Sequence, residues 1–240
     1  MRIDKYLSDM GIGSRSEIKT LLKKGQITLN ENKVKSAKTH VNPNVDKVAV
    51  NQQIIKYEPY VYLMMHKPRG VISATKDYHH TTIIDLIEEY HHFDLFPVGR
   101  LDKDTEGLIL ITNNGKFSHL LMSPQHHVAK TYYVETKHSI NHNVVNIFKE
   151  GVTLKEGKLK PATLKLLSTH SANITITEGK FHQIKRMFHY VDNEVTYLKR
   201  IKIANLLLDE TLPSGAYRKL KENEFQQLGL IKDDIESDIQ

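Results

Sequence analysis

Three acidic side chains lie close together between Gly99 and Gly107, immediately before a run of β-forming apolar residues. They are Asp102, Asp104 and Glu106. A carboxylate held at such a turn can act as a nucleophile, a general base or a metal ligand. Arg100 stands two residues before Asp102, and a nearby guanidinium favours the charged form of a carboxylate. Asp102 can therefore stay ionised even if it is partly buried, which suits each of these three roles.

Two other interpretations fit this segment taken alone. Asp102-x-Asp104-x-Glu106-Gly107 matches the first half of a calcium-binding EF-hand loop, but the ninth and twelfth places are Leu110 and Asn113. The loop needs an oxygen ligand or water at the ninth place and a bidentate Glu at the twelfth, so we expect no metal here. The second interpretation is a solvated acidic turn before a buried strand.

Four segments, in order along the chain, resemble the motifs of RNA pseudouridine synthases, in the branch that contains RsuA. Gly-Arg-Leu-Asp at 99–102 with Gly-Leu-Ile-Leu-Ile-Thr at 107–112 is similar to the catalytic motif. The other three matches are Lys67-Pro68-Arg69-Gly70, Lys130-Thr131-Tyr132 and EGKFHQIKRMF at 178–188. There are two small departures: Asn113-Asn114-Gly115 stands where Asp-Gly is common, and Lys180 stands where many relatives carry Arg.

The resemblance implies an enzyme that isomerises uridine in RNA without a cofactor. It assigns Asp102 the catalytic role, with Arg100 in support. Tyr132 is expected to stack on or hydrogen-bond the target base, and Lys180 to form an ion pair with Asp102, about 4 Å or less apart. Attack on the base, attack on the sugar and a glycal intermediate are all compatible with this set.

A stacked and paired uridine hides its reactive atoms, so the nucleotide should be extruded into the pocket. Basic side chains around the cleft are then candidates for phosphate contacts. These are Arg69, Arg100, Lys185 and Arg186.

The N-terminal quarter carries most of the positive charge. Residues 1–60 hold 11 Lys and Arg against 6 Asp and Glu, which accounts for +5 of the net charge of +6. Two short helices and a hairpin are predicted there, with Ser14-Arg15-Ser16-Glu17 as a capping box and Gly25 as a helix stop. This pattern resembles an S4 RNA-binding domain. The basic residues outside its apolar positions are Arg2, Lys5, Arg15, Lys19, Lys23 and Lys24.

We predict an α+β protein with a small S4 domain at 1–58 and a synthase domain at 59–232 with a mixed, largely antiparallel sheet. Lys56-Tyr57-Glu58-Pro59 is the expected linker, because proline ends regular structure. Helices are predicted over 82–90, 116–122 and 142–149. Residues 233–240 are polar and acidic, which is typical of a flexible tail.

Composition excludes several classes of function. The chain has no cysteine, which removes disulfides, thiolate nucleophiles and cysteine zinc sites. Its 14 histidines include three adjacent pairs, but neighbouring residues do not share a helix or strand face, so no metal site is predicted. No apolar run approaches the roughly 20 residues that span a bilayer, and a cytoplasmic location is expected.

Three functions remain open at this stage. The first is a synthase acting on small-subunit (16S) ribosomal RNA, as a monomer and within a ribosomal assembly intermediate. The second is a synthase acting on large-subunit (23S) ribosomal RNA. The third is an S4-type RNA-binding protein without catalysis, for which the acidic motif and some 180 further residues would have no use.

Deleting residues 1–58 is expected to weaken ribosomal RNA binding and to lower its salt dependence, because the deleted segment carries most of the excess positive charge. For every phosphate that the shortened chain no longer neutralises, the slope of log affinity against log salt should flatten by roughly 0.7 to 0.9. Filter binding over a salt series measures this slope. An unchanged slope would contradict an RNA-holding role for this segment.

Overall fold

The structure is a computed structural model that describes residues 1–237, and it forms two units. One comprises Met1–Val61 with Tyr90–Asp94, and the other comprises Tyr62–Glu89 and the chain from Leu95 onward. The sequence did not predict that residues 90–94 join the first unit. The boundary at residue 58 stays a prediction. Across residues 1–237, no helix combines the length and apolar character needed to span a membrane.

The first unit contains two helices and a four-stranded antiparallel sheet. Its elements are α1 (Ile3–Asp9), α2 (Arg15–Lys23), β1 (Ile27–Leu29), β2 (Asn32–Lys33), β3 (Val48–Val50) and β4 (Gln53–Ile55). The strands lie in the order β2-β1-β3-β4. Apolar side chains from both helices and the sheet form one core, among them Ile3, Leu7 and Ile18. The two predicted helices and the hairpin are thus confirmed.

The ends of α2 follow the predicted capping signals. The Ser14 hydroxyl accepts a hydrogen bond from the Glu17 amide, and the Glu17 carboxylate accepts one from the Ser14 amide at 2.7 Å. Gly25 follows the helix with a φ of +69°, a left-handed conformation that glycine adopts without strain. These local groups satisfy the free amides at the start of the helix and end it within one residue of the prediction.

The second unit is built on a nine-stranded sheet. The first part of the unit contains β5 (Tyr62–Lys67), β6 (Phe96–Val98), β7 (Glu106–Thr112), α3 (Gly115–Met122), a 3-10 helix (Pro124–His126), β8 (Lys130–Thr136), α4 (Asn143–Glu150), β9 (Thr153–Leu154) and β10 (Gly157–Lys158). The rest contains β11 (Thr163–Leu166), β12 (Ser171–Ile176), α5 (Gln183–Tyr190), β13 (Val195–Ile203), β14 (Leu206–Leu207), β15 (Tyr217–Lys219), α6 (Glu222–Gln227) and α7 (Lys232–Glu236).

The order β11-β12-β8-β13-β7-β5-β15 forms the main path of this sheet, and β14 and β6 pair with β13 and β7. The pair β7 and β13 is parallel, and the other pairs described in the sheet are antiparallel. The predicted α+β class with a mixed, largely antiparallel sheet is confirmed.

Gly107 allows the parallel pair to form. It lies opposite Arg200 of β13, with a φ of +106°. A Cβ at this position would collide with the Arg200 carbonyl oxygen and would meet the Arg200 amide nitrogen at 2.8 Å. Both the conformation and the close approach of the two backbones therefore require glycine.

One predicted helix is wrong. Residues 82–90 form turns, while the helices predicted at 116–122 and 142–149 are confirmed as α3 and α4. The Thr82 amide donates to the Asp85 carboxylate at 2.8 Å, and the Asp85 amide donates to the Thr82 hydroxyl at 3.2 Å. Thr82 also bridges to Ile72 as an isolated strand pair, which holds it in an extended conformation. The two hydrogen bonds between Thr82 and Asp85 form a capping box like that of α2, but the Ile83 amide donates to the Ile72 carbonyl at 3.0 Å and the chain beyond forms turns.

The predicted flexible tail at 233–240 is wrong for its first part. Lys232–Glu236 forms α7, and the Ile235 side chain is buried. The Asn114 side-chain amide donates to the Ile235 carbonyl at 3.0 Å, and the Lys116 ammonium donates to the Asp234 carbonyl at 2.7 Å. One apolar residue and these two donors hold a segment whose composition is otherwise polar. Residues 238–240 lie outside the described residues.

Gly107→Ala is expected to destabilise the fold by about 3 kcal/mol, because alanine is strained at this φ and its Cβ would contact the backbone of β13. Gly115→Ala is the matched control, since Gly115 lies beyond the other end of β7 and nothing lies within 4 Å of an added Cβ. The control should change stability by less than about 1 kcal/mol. Urea unfolding of both variants measures the difference, and equal midpoints would contradict this role of Gly107.

Candidate active site

The loop that carries Asp102 is anchored on both sides of that residue by the segment that follows β5. The Ser73 hydroxyl donates to the Leu101 carbonyl at 2.9 Å and accepts from the Leu101 amide at 3.0 Å. The Gly70 amide donates to the Lys103 carbonyl at 2.8 Å. Two segments some 30 residues apart in sequence therefore fix the backbone around Asp102.

Lys67, the last residue of β5, is fully buried, and its side chain binds backbone carbonyls of the same loop. Its ammonium donates to the carbonyls of Pro68 at 3.0 Å and Thr105 at 2.9 Å, with a longer contact to the Lys103 carbonyl at 3.4 Å. Burial lowers the pKa of Lys67 to about 8, against the attraction of the three carboxylates of the loop. The buried charge thus depends on the backbone carbonyls that it binds.

Lys185 brings the two aspartates of the loop together. Its ammonium lies 3.2 Å from Asp102 Oδ2 and 2.6 Å from Asp104 Oδ1. Burial acts to raise the pKa of Asp104, but the hydrogen bond and the charge of Lys185 outweigh it, so that pKa lies below its usual value. One cation on α5 therefore joins two carboxylates 81 and 83 positions away.

The expected ion pair between Lys180 and Asp102 is wrong, because Lys185 occupies that position. Lys180 precedes α5, and its side chain is exposed. Its amide donates to Gln183 Oε1 at 2.9 Å, and Gln183 Nε2 donates to Glu178 Oε1 at 3.0 Å. This local network fixes the backbone before α5. The contact with Asp102 is made instead by Lys185, in the first turn of α5.

A cavity opens beside Asp102. Its wall is formed by Arg100, Leu101, Asp102, Thr105, Tyr132, Ile176, Gly179, Lys180, His182, Gln183, Ile184, Lys185 and Leu198. Tyr132 contributes from the buried face of β8, whereas Tyr133 lies on the opposite face and donates its hydroxyl to Glu135. His182 Nε2 lies 3.6 Å from Asp102 Oδ1, and its ring stacks on the exposed Phe181 ring. A carboxylate, an aromatic ring and cations therefore share one cavity.

The other predicted site residues lie apart from this cavity or at its rim. Arg100 lines the cavity and is exposed. Arg69 is exposed with its guanidinium 6.0 Å from the centre of the Tyr197 ring, and Arg186 pairs with Glu156 at 2.8 Å. The six basic residues predicted in the first unit are all exposed, and Arg2 pairs with Asp4. No group of three or more potential metal ligands occurs within residues 1–237.

Sequence reasoning missed the roles of Lys67, Lys185 and His182 in this arrangement. Lys185 was assigned to phosphate contact, and His182 was given no specific role. Positions 182 and 185 are three apart, so a helix that begins near 183 presents both on one face. Lys180 stands before that start. The residue at which α5 begins is therefore the feature that distinguishes the position of Lys185 from that of Lys180.

Comparisons with known proteins identify the family of this chain. A family model described as RNA pseudouridylate synthase matches residues 61–190, and an S4 domain model matches residues 1–46. Over 95% of this chain and 98% of the relative, the chain is 44% identical to an uncharacterized RNA pseudouridine synthase, YtzG, of Bacillus subtilis. Over 95% of this chain and 99% of the relative, it is 39% identical to ribosomal small subunit pseudouridine synthase A of Vibrio cholerae.

A solved structure named as a pseudouridylate synthase shares the fold. It has a TM-score of 0.68 and 33% identity, and the match covers 95% of this chain and 99% of that one. The chain therefore belongs to the RNA pseudouridine synthases, in the RsuA-type branch with an N-terminal S4 domain.

Lys185→Met is expected to raise the pKa of Asp104 and to lower stability at pH 7. In the folded protein this pKa lies below its unfolded value, so the pair stabilises the fold above the unfolded value and loses that effect as pH falls through the folded one. Because Asp104 is 59% exposed, the loss should stay below about 1 kcal/mol. Carboxyl NMR titration and urea unfolding at pH 7 and pH 3 measure both effects.

Lys180→Met is the matched control for this experiment, because it removes the same charge from the same cavity wall. It should leave the Asp104 titration unchanged. A shift caused by Lys180→Met, with none from Lys185→Met, would show that the assignment of the ion pair is reversed.

Proposed function

We propose that this pseudouridine synthase isomerises a specific uridine of small-subunit (16S) ribosomal RNA, with Asp102 as the essential carboxylate and no cofactor. The observation that carries the proposal is the cavity in which Asp102 lies beside Tyr132, with the Lys185 ammonium 3.2 Å from its carboxylate. A carboxylate, a ring and a fixed cation are the groups that this reaction needs.

The chemistry rearranges atoms that the uridine already holds. The N1–C1′ bond breaks, the uracil turns, and C5 bonds to C1′; the C5 proton leaves and N1 gains a proton. Asp102 acts either as the nucleophile or as the base that removes a sugar proton. Lys185 holds the carboxylate in place as a positioning residue. The sequence predicts Lys180 as the ion-pair partner of Asp102, and in this proposal Lys185 takes that role.

The target nucleotide leaves its stack and enters the cavity, where Tyr132 takes the place of a neighbouring base. Arg100 and Lys180 are exposed cations on the wall of the same cavity, which supports roles at its entrance close to the phosphates beside the target. Arg69 and Arg186 lie outside the cavity wall, and we assign them to RNA backbone contacts farther from the target.

The S4 domain holds the RNA. Its exposed basic residues are Arg2, Lys5, Arg15, Lys19, Lys23 and Lys24. Exposed cations at this density supply a binding term that does not depend on RNA sequence. The domain therefore contributes affinity, and the cavity around Asp102 selects the uridine.

The small-subunit target is supported by the names of the relatives. The synthase A proteins of Yersinia pestis and Vibrio cholerae, at 36% and 39% identity, are named for the ribosomal small subunit. We propose that the enzyme acts as a monomer, in the cytoplasm, on RNA within a ribosomal assembly intermediate.

Asp102→Asn is expected to reduce isomerisation by at least about 10²- to 10⁴-fold and to leave RNA affinity within a few-fold, because shape is kept and the reactive charge is removed. Asp104→Asn is the matched control: it makes the same change beside the same Lys185 and should keep activity. Tritium release from 5-tritiated uridine in a 16S RNA transcript or an assembly intermediate measures the reaction. A normally active Asp102→Asn enzyme would show that the catalytic assignment is wrong.

The RNA target is tested in a strain that lacks the gene. One pseudouridine should vanish from 16S RNA, return with the wild-type enzyme, and stay absent with Asp102→Asn. Loss of a site in 23S RNA instead would overturn the small-subunit proposal while keeping the enzyme class.

A further inference from the structure

Phe181 is the one phenylalanine that the fold leaves exposed. The chain has seven phenylalanines, all within residues 1–237; Phe181 is 75% exposed, and the other six are buried or half-buried. A ring in this position gains little from the apolar core, because most of its surface stays in water. Single exposed apolar side chains are common on proteins, so exposure alone assigns no role. The role that we assign to Phe181 comes from its neighbours.

Phe181 lies one ring outside the wall of the Asp102 cavity. The His182 ring is part of that wall, with Nε2 3.6 Å from Asp102 Oδ1. The Phe181 ring stacks on the His182 ring, with the two ring centres 3.8 Å apart and the planes 16° from parallel. This stack covers one face of the Phe181 ring, and the exposure of the residue leaves the other face open. The open face therefore lies beside the cavity and outside it.

The backbone on both sides of Phe181 is held in place. The Lys180 amide donates to Gln183 Oε1 at 2.9 Å, and the Gln183 amide donates to the Lys180 carbonyl at 3.1 Å. The His182 carbonyl accepts from the Arg186 amide at 3.0 Å. His182 has a φ of +47°, a left-handed conformation that is uncommon for a residue other than glycine and that occurs often at functional sites. A ring held in this way loses little conformational freedom when a ligand stacks on it.

We propose that the open face of Phe181 stacks on an unpaired RNA base next to the uridine that enters the cavity. This inference rests on the proposed function. A uridine that leaves its stack uncovers a neighbouring base, and proteins commonly bind unpaired bases by stacking them on aromatic side chains. The cavity itself receives the target, so a ring outside the wall fits the neighbour. Arg100 and Lys180, two exposed cations of the same wall, attract the phosphates that join the two nucleotides.

The first test uses fluorescence, because the chain contains no tryptophan. Phe181→Trp places a single indole at the proposed stacking position. Tyr190→Trp is the matched control: Tyr190 is the last residue of α5, is 53% exposed and lines a different cavity. Titration with a 16S RNA transcript should quench the emission of Phe181→Trp saturably, since a base that stacks on an indole quenches it, and should leave Tyr190→Trp nearly unchanged. Equal quenching of the two variants, or none at position 181, would overturn the inference.

The second test is kinetic and uses Phe181→Leu, which removes the ring and keeps an apolar side chain. KM for 16S RNA should rise about fivefold or more, the loss expected for one stacked base. The same stack is present in the bound substrate and in the transition state, so kcat should stay within about twofold of wild type. Phe181→Tyr keeps the ring and should keep KM, as should the control Tyr190→Leu. Tritium release from 5-tritiated 16S RNA, free or in an assembly intermediate, gives both constants.

Urea unfolding separates these effects from damage to the fold. Phe181→Leu and Tyr190→Leu should both unfold within about 0.5 kcal/mol of wild type, because both side chains are exposed. An unchanged KM in Phe181→Leu would overturn the inference. A lower kcat with an unchanged KM would overturn it as well, because that result would show that Phe181 acts through His182 on Asp102 and does not contact the RNA.

The stacked base itself is identified once the target uridine is mapped. An abasic nucleotide on the correct side of the target should raise KM about as much as Phe181→Leu does, and the two changes together should cost no more than either alone. Additive effects for abasic nucleotides on both sides would contradict a contact between Phe181 and a neighbouring base.

Failure of the proposed function is distinguishable from failure of this inference. If the wild-type enzyme isomerises neither 16S nor 23S RNA, the proposed function is wrong. Saturable quenching of Phe181→Trp needs no turnover, so its presence would still support base stacking at this position, and its absence would overturn it.

Discussion

The buried ammonium of Lys67 is the interaction on which the arrangement around Asp102 depends. A charged group without exposure to water must find partners, and Lys67 finds them in the backbone carbonyl of Pro68 and in that of Thr105 in the loop. Its pKa of about 8 reflects that burial, against the pull of three nearby carboxylates. The Thr105 carbonyl is one of these partners and the Thr105 amide donates to the Asp102 backbone carbonyl, so Lys67 helps to fix the backbone of the loop at Asp102.

The parallel pairing of β7 and β13 brings α5, which carries Lys185, next to the loop that carries Asp102. Parallel strands start from the same edge of a sheet, so the loop before β7 and the helix α5 before β13 meet there. Gly107 permits the close approach of the two strands, and Lys185 on α5 then reaches both aspartates. One glycine and one helix face thus join segments about 80 residues apart.

Much of this could be predicted from local chemistry. The capping box at Ser14, the stop at Gly25 and the helices α3 and α4 depend on neighbouring residues, and all are confirmed. The helix predicted at 82–90 is wrong because the start of this segment is tied to Ile72, through the bridge with Thr82 and the hydrogen bond from the Ile83 amide, and turns follow. The flexible tail predicted at 233–240 is wrong for its first part, because the Ile235 side chain is buried and its carbonyl accepts a hydrogen bond from the Asn114 side chain. Composition does not reveal either contact. In both failures a specific contact outweighed a general tendency.

The sequence by itself determined the family, through four ordered motifs, and it indicated Asp102 and Tyr132, whose residue types suit uridine chemistry. Only the tertiary structure decided which lysine meets Asp102. Lys180 and Lys185 lie in one motif, carry the same charge and differ by five positions, so residue type alone does not separate them. The start of α5 after residue 182 does, because it turns Lys185 toward the loop and leaves Lys180 on the exposed segment before it. Long-range ion pairs depend on where a helix begins and on which strand it precedes, and both are set by packing of the whole sheet.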